Sequence, residues 1–209
     1  MIFVIMLIGD YMELLFASNN ANKLEQVKLL LDHENVLLPK DIGILDFNVV
    51  EDGNTLRENA YKKAYALFKL SGKKVFSDDT GLFVKTLDGR PGLYSHRYAG
   101  NDASDKDNRD KLLSELENNA DRQAYFLTVV CFIDENGRDY YFEGRLDGRI
   151  ADKEYGTGGF GYDKIFYVDE YSKTLGQMDI EFKNTISHRA KAVQAFKKFL
   201  VDNYENINY

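Results

Sequence analysis

The sequence predicts an α/β fold built on a mixed, elongated β-sheet flanked by helices. Three observations lead there. A run of buried-strand character at 14–18 passes directly into a helical stripe; two long alternating segments, 124–133 and 138–150, face each other across the turn residues 134–137 as an antiparallel hairpin; and helices and strands are interspersed along the chain.

Taken in order, Leu24, Val27, Leu30 and Leu31 fall on one helical face, so the chain opens as strand then helix. Thr55 and Glu58 match the T-x-x-E capping box, and Leu56, Ala60, Ala64, Leu67 and Phe68 continue a second helical stripe. Residues 75–78 and 82–87 read as two strands on either side of Thr80 and Gly81, and 104–117 as a third helix. After the hairpin, 165–168 reads as a strand, and 187–202 as a last helix burying Ala190, Val193 and Leu200. With two prolines, no repeat and no low-complexity stretch, nothing marks a linker. Residues 12–209 are therefore expected to form one unit. Residues 1–11, which precede a second methionine and a clean strand pattern, read as an extension to it.

A chain of 209 residues buries enough apolar surface to fold without staples. Its only cysteine, Cys131, sits in the apolar run 126–133 and is expected in the core of a protein kept in a reducing cytoplasm. The charge of −7 and pI near 5.1 argue against a nucleic-acid backbone as partner, which needs net or clustered positive charge. The apolar opening 1–9 is about half a membrane helix and lacks the marks of a signal peptide, so no membrane partner is expected.

Four stretches carry chemistry. Ser18-Asn19-Asn20-Ala21-Asn22-Lys23 lies where a strand meets a helix, a seat where free N–H groups, the helix dipole and Lys23 favour an anion; an ordinary Asn cap with an exposed lysine fits equally. Glu51, Asp52, Asp78 and Asp79 form an acidic set. Magnesium takes one or two carboxylates with waters and phosphates, and Asp78-Asp79 lies between buried segments, whereas the alternative is a group of solvated turn acids.

The third stretch, Gly156-Thr157-Gly158-Gly159-Phe160-Gly161-Tyr162-Asp163, matches G-x-G-x-x-G formally. It precedes a strand near the end of the chain rather than opening a helix, which rejects a dinucleotide site. A flexible loop holding Phe160 against a flat base is one reading, and a strained turn the other. The fourth comprises Lys183 and Ser187-His188-Arg189. An arginine at a helix N-terminus opposes the dipole, which favours a ligand role for Arg189, whereas a lone histidine is more often structural.

These stretches, in this order, resemble the inosine triphosphate pyrophosphatase family, the Ham1-like enzymes acting on unusual purine triphosphates. The most specific pieces are Phe76-Ser77-Asp78-Asp79-Thr80-Gly81-Leu82, Pro91-Gly92-Leu93-Tyr94-Ser95 with Arg97-Tyr98, the Gly156-to-Asp163 loop, and Ser187-His188-Arg189. The resemblance implies a two-lobed α/β unit with the active site in the cleft, a homodimer, and magnesium-dependent hydrolysis of ITP, dITP or XTP to monophosphate and pyrophosphate. It further implies that Ser18 to Lys23 hold the triphosphate, that Glu51 and Asp79, with Asp78 as a further candidate, bind the metal, and that Asp79 is the general base. Phe160 stacks on the purine, and Lys183, His188 and Arg189 read its edge with the loop Gly161, Tyr162 and Asp163. Thr80 stands where the family commonly has serine, and Ser18-Asn19-Asn20 where Thr-Gly-Asn is commoner; both keep the hydroxyl and the amide. Two rivals remain: a nucleotide sensor without turnover, and a pyrophosphatase for other nucleotides such as dUTP.

A donor aimed at purine C6 donates to a keto oxygen and opposes an adenine amino group, a mismatch costing about 1–3 kcal/mol when buried.

Overall fold

The computed structural model describes residues 12–31 and 36–205; the expected extension at 1–11 lies outside them. The opening strand β1 (Leu14–Phe16) is fully buried and leads into α1 (Ala21–Leu31), which turns Val27, Leu30 and Leu31 inward. A two-residue strand, β2 (Val36–Leu37), pairs parallel with β1. The helix α2 (Leu56–Ser71) starts where its cap motif predicts. Thr55 accepts from Glu58 N–H, but the Glu58 carboxylate takes the Asn54 N–H, one residue further out than a standard box.

The two strands expected around Thr80-Gly81 are one, β3 (Val75–Val84). Its pairing with β5 (Gln123–Ile133) runs residue for residue from Val75↔Ile133 to Val84↔Ala124, so the ladder carries the chain straight through the glycine. Gly81 serves a close approach: a Cβ there would lie 2.8 Å from Gly92 O on β4 (Pro91–Gly92), the short strand pairing with the second half of β3. Residues 85–87, expected to extend a strand, form a 3₁₀ turn.

The remaining elements are α3 (Asp105–Glu115), capped by Ser104; the hairpin of β5 with β6 (Asp139–Ile150); β7 (Phe166–Val168); β8 (Lys173–Thr174); α4 (Ile180–Ile186); and α5 (His188–Leu200). Strand order is β2-β1-β3-β5-β6-β7-β8, with parallel pairs on the β1 side and antiparallel pairs elsewhere.

Strand alternation distributes the core between two faces. Phe76, Val130 and Phe132 point to α1 and α5, where Phe76 and Phe132 each meet Phe196 with ring centroids 5.2 Å apart. Val75, Cys131 and Ile133 point to α2. Cys131 is the core thiol its setting predicts, with burial pushing its pKa up to about 12. A third cluster, from Leu82 and Phe126 to Phe166 and α3 Leu112, fills the far end. Among the described residues no helix is long and apolar enough to cross a membrane.

Candidate functional site

A cavity of about 600 Å³ opens between these clusters, lined by the β1–α1 junction, residues 47–51, α2, β3, the glycine-rich loop and the start of α5. Of the residues singled out in sequence, Ser18, Asn19, Asn20, Asn22, Lys23, Glu51, Asp79, Thr80, Phe160, Gly161, Tyr162, Asp163, Lys183, His188 and Arg189 line it. Ala21 and Asp78 do not.

At the β1–α1 junction, Asn20 Oδ1 caps the helix by accepting from Lys23 N–H (3.1 Å), and Ser18 Oγ accepts from Asn20 N–H (3.2 Å). The first N–H groups of α1 have no intrahelical acceptor and face the cavity end of the helix. Asn19 is anchored by donating to Phe47 O (2.7 Å). The Lys23 ammonium is half-buried and bound to Asp78 Oδ1 (3.0 Å); burial pulls its pKa down against the attraction of Asp78.

The consecutive acids Asp78 and Asp79 point to opposite faces of β3, because side chains alternate along a strand. Asp79 faces α2, where its Oδ1 lies 3.3 Å from Lys63 Nζ, and Glu51 Oε1 lies 3.3 Å from the same nitrogen. Two carboxylates from distant segments thus converge on one cationic point. The Glu51 backbone is held there by Arg97, which donates to its carbonyl (3.2 Å). Burial raises the pKa of Asp79, with Lys63 and Lys23 opposing and Glu51 adding to the rise. Burial acts to lower the Lys63 ammonium, but Asp79 and Glu51 reverse this and raise it.

Asp78 faces α1 and α5 instead. Its Oδ1 takes Lys23 and its Oδ2 takes Arg189 Nε (3.0 Å), so both oxygens are spent away from the Glu51–Asp79 point. Burial opposes its ionisation, but these two cations hold it far below the usual carboxylate range. Asp52, the fourth acid of the set, pairs with Lys62 at the surface and is a solvated turn acid.

At the other end, Phe160 stands in the cavity wall with Lys183 Nζ 5.5 Å and Arg189 Cζ 5.6 Å from its ring centroid. The loop is gripped on both sides. Asp163 Oδ2 accepts from Phe160 N–H (3.2 Å) and from Lys183 (2.9 Å); Asp105 Oδ2 accepts from Gly161 N–H (2.7 Å); and Arg109 donates to Gly161 O (2.7 Å). Tyr162 donates its hydroxyl to Ser95 O (2.7 Å), which ties the Pro91–Ser95 segment to the loop.

Ser187 ends α4 and caps α5 by accepting from Ala190 N–H, so Lys183 lies on a short helix of its own just before α5. The unfavourable placement of Arg189 at a helix start is offset by Asp78, by Gln26 Oε1 (2.9 Å) and by Thr80 Oγ1 (3.3 Å). His188 is buried, stacked on Phe126, and hydrogen-bonded through Nδ1 to Thr128 Oγ1 (2.6 Å). Burial, reinforced by Arg189, holds its pKa well below the ordinary histidine value, so it is neutral.

Sequence reasoning missed Lys63, Thr128 and the Asp105–Arg109 grip. Lys63 had a signal: a lysine on the apolar stripe of α2, between Ala60 and Ala64. Thr128 and Arg109 had none, since only the fold brings them to the site.

The description "Ham1 family" belongs to the family model that matches residues 14–199. The dITP/XTP pyrophosphatase of Staphylococcus aureus is 42% identical over 188 residues, spanning 90% of this chain and 96% of that protein. The dITP/XTP pyrophosphatase of Flavobacterium psychrophilum is 41% identical over 196 residues, spanning 93% and 100%. The solved structure of the Staphylococcus aureus Ham1 protein superposes with a TM-score of 0.84 at 42% identity, covering 91% of this chain and 98% of that one. A HAM1 protein from Coxiella burnetii gives 0.83 at 34% identity, covering 91% and 99%.

Proposed function

The chain belongs to the Ham1 family, and we propose that it hydrolyses purine nucleoside triphosphates carrying a C6 keto group, ITP, dITP and XTP, to the monophosphate and pyrophosphate. The observation that carries this reading is the convergence of Glu51 and Asp79 on one point of a cavity that Phe160, Lys183 and His188 also line.

The triphosphate lies along the start of α1, where Ser18 to Lys23 supply N–H donors and a lysine, and reaches Lys63. The donor set fits a divalent ion. Among the described residues no group of three or more His, Cys, Asp or Glu assembles, yet magnesium needs only one or two carboxylates once substrate phosphates and water complete its shell. Glu51 and Asp79 are the residues to hold it, and when bound it supplies charge neutralisation for the departing pyrophosphate. Asp78 takes no part at the metal and instead braces Lys23 and Arg189.

Hydrolysis forms a bond from water oxygen to phosphorus while the anhydride bond to the leaving pyrophosphate breaks, and the water must lose a proton. Asp79, the buried carboxylate at this point, accepts it. The purine stacks on Phe160, and Lys183, His188 and Arg189 present donors to its keto edge, which an adenine amino group cannot accept. Residues 12–209 act as one two-lobed catalytic unit, working as a cytoplasmic homodimer; sedimentation measures the oligomer.

The test is pyrophosphate release from ITP, XTP, dUTP and GTP, with and without magnesium. Metal-dependent turnover of ITP and XTP above the other two is expected. Retention of ITP without release would make the chain a nucleotide-binding protein, and preference for dUTP would assign it to pyrimidines.

A further inference from the structure

A continuous run of hydrogen bonds crosses the floor of the cavity beneath the residues already discussed. Lys23 binds Asp78, Asp78 binds Arg189, Arg189 Nη2 donates to Thr80 Oγ1 (3.3 Å), Thr80 meets Thr128 (2.7 Å), and Thr128 meets His188 Nδ1 (2.6 Å). Thr80 and Thr128 are directly opposed on β3 and β5, so sheet register sets the middle of the run.

The direction of the run follows from what each group has to give. A guanidinium only donates, so it takes a lone pair of Thr80 and leaves that hydroxyl its own proton. Thr128 is completely buried, and its hydroxyl bonds are those to Thr80 and His188. With one proton to give, it accepts from one neighbour and donates to the other. A hydroxyl has two lone pairs, so Thr80 has room for Thr128 as well as Arg189, but its own proton then meets no acceptor among the described hydrogen bonds; the direction that pairs every proton has Thr128 accepting from Thr80 and donating to Nδ1. A neutral imidazole accepting at Nδ1 carries its hydrogen on Nε2.

We infer that Thr128 is a positioning residue for base choice: through the Arg189–Thr80–Thr128 run it fixes His188 as the tautomer bearing hydrogen on Nε2, a donor toward a keto oxygen and against an amino group. Were the tautomer reversed, Nε2 would be an acceptor and would favour adenine's amino group. The inference rests on the proposed reading of His188 as a base contact, but the tautomer itself is measurable without substrate.

The experiment uses the whole chain with ¹⁵N-labelled histidine, the His188 signals being assigned by their loss in His188→Gln. In the native chain Nδ1 is expected to resonate as an unprotonated nitrogen and Nε2 as a protonated one, with correlations to the ring protons that distinguish them. Thr128→Val keeps the shape and removes the hydroxyl; it should mix the tautomers and lower the ITP-over-ATP ratio of kcat/KM by about tenfold, the cost of one lost buried donor match. Thr128→Ser, which keeps the hydroxyl, should retain both properties. A native signal with hydrogen on Nδ1 overturns the inference even if the valine variant does not fold. Unchanged tautomer and unchanged ratio in a folded valine variant also overturn it. Native Nε2–H in a chain that never turns over ITP would uphold the relay and sink the catalytic reading instead.

Discussion

Replacing Gly144 by alanine tests how closely α5 must approach the sheet. Gly144 lies on β6 beside Thr128, under the first turn of α5. A Cβ built there would lie 2.0 Å from His188 O and 2.5 Å from Ala192 N, both backbone atoms that no rotamer change can move. To restore a contact of 3.4 Å, the start of α5 has to shift by about 1.4 Å. That shift acts directly on His188 and Arg189. Overpacking a buried contact costs roughly 1–3 kcal/mol, and a displacement of about 1 Å at a reacting geometry costs about a hundredfold in rate. Gly144→Ala should therefore lower the urea midpoint and reduce kcat/KM for ITP by about a hundredfold. Gly158→Ala is the control for stability: its added Cβ meets nothing nearer than 3.4 Å, an ordinary contact, so the urea midpoint should stay native. A Gly144→Ala protein with native midpoint and native kcat/KM would refute the claim that backbone contact with β6 sets the height of the last helix.

Acid stability should carry a signature of His188. Its folded pKa is depressed, so below the unfolded value near 6.5 the unfolded chain binds a proton that the folded chain refuses; stability then falls with falling pH by about 1.4 kcal/mol per unit. His188→Gln should flatten the slope between about pH 5 and 6.5, as read by urea titrations at each pH; an identical slope would show that the ring is not held neutral. Lys63→Met leaves Glu51 and Asp79 facing each other without their shared cation, which should destabilise the metal-free protein by up to about 3 kcal/mol and make its Tm rise more steeply with magnesium than that of the native chain. Equal magnesium responses would show that no divalent ion binds at that point. Asp79→Asn should abolish pyrophosphate release while leaving ITP binding detectable by calorimetry, and undiminished turnover would remove Asp79 from the reaction.

Elements with local signals were legible in the sequence. The Thr55 cap, the helix read from 104, the apolar stripes of α1, α2 and α5, and the alternation of the β5–β6 hairpin all predict what forms, since each depends on neighbours three to ten residues away. What tertiary pairing decides was not. Gly81 reads as a break, but a ten-residue register with β5 overrides it; β2, β4 and β8 are two residues long and exist only because longer strands offer them an edge. Ser187 can end one helix and begin another, a double role that composition does not distinguish from a single start. At the site, residue types were legible and orientation was not. Asp78-Asp79 reads as one pair of acids; the strand turns it into two groups on opposite faces, one bracing two cations and one facing the Glu51–Lys63 point.

That separation bears on why an acidic protein handles a triphosphate. Among the described residues, the charged ones lining the cavity are four cations, Lys23, Lys63, Lys183 and Arg189, and four acids, Glu51, Asp79, Asp105 and Asp163, which balance; Asp78, bonded to Lys23 and Arg189, tips the balance negative. Each cation already has an acid: Lys23 and Arg189 share Asp78, Lys63 has Glu51 and Asp79, and Lys183 has Asp163. A bare triphosphate would bring several negative charges into a cavity with no net positive charge, on a chain whose formal charge is −7. A divalent ion offsets two of those charges and so reduces the excess negative charge brought in. On the proposed reading, the arrangement favours a metal–nucleotide complex over a free nucleotide without a strong resident metal site, the two carboxylates Glu51 and Asp79 sufficing once phosphates and water complete the shell. Weak magnesium binding by the chain alone, with strong binding when nucleotide is present, is the pattern this charge balance demands.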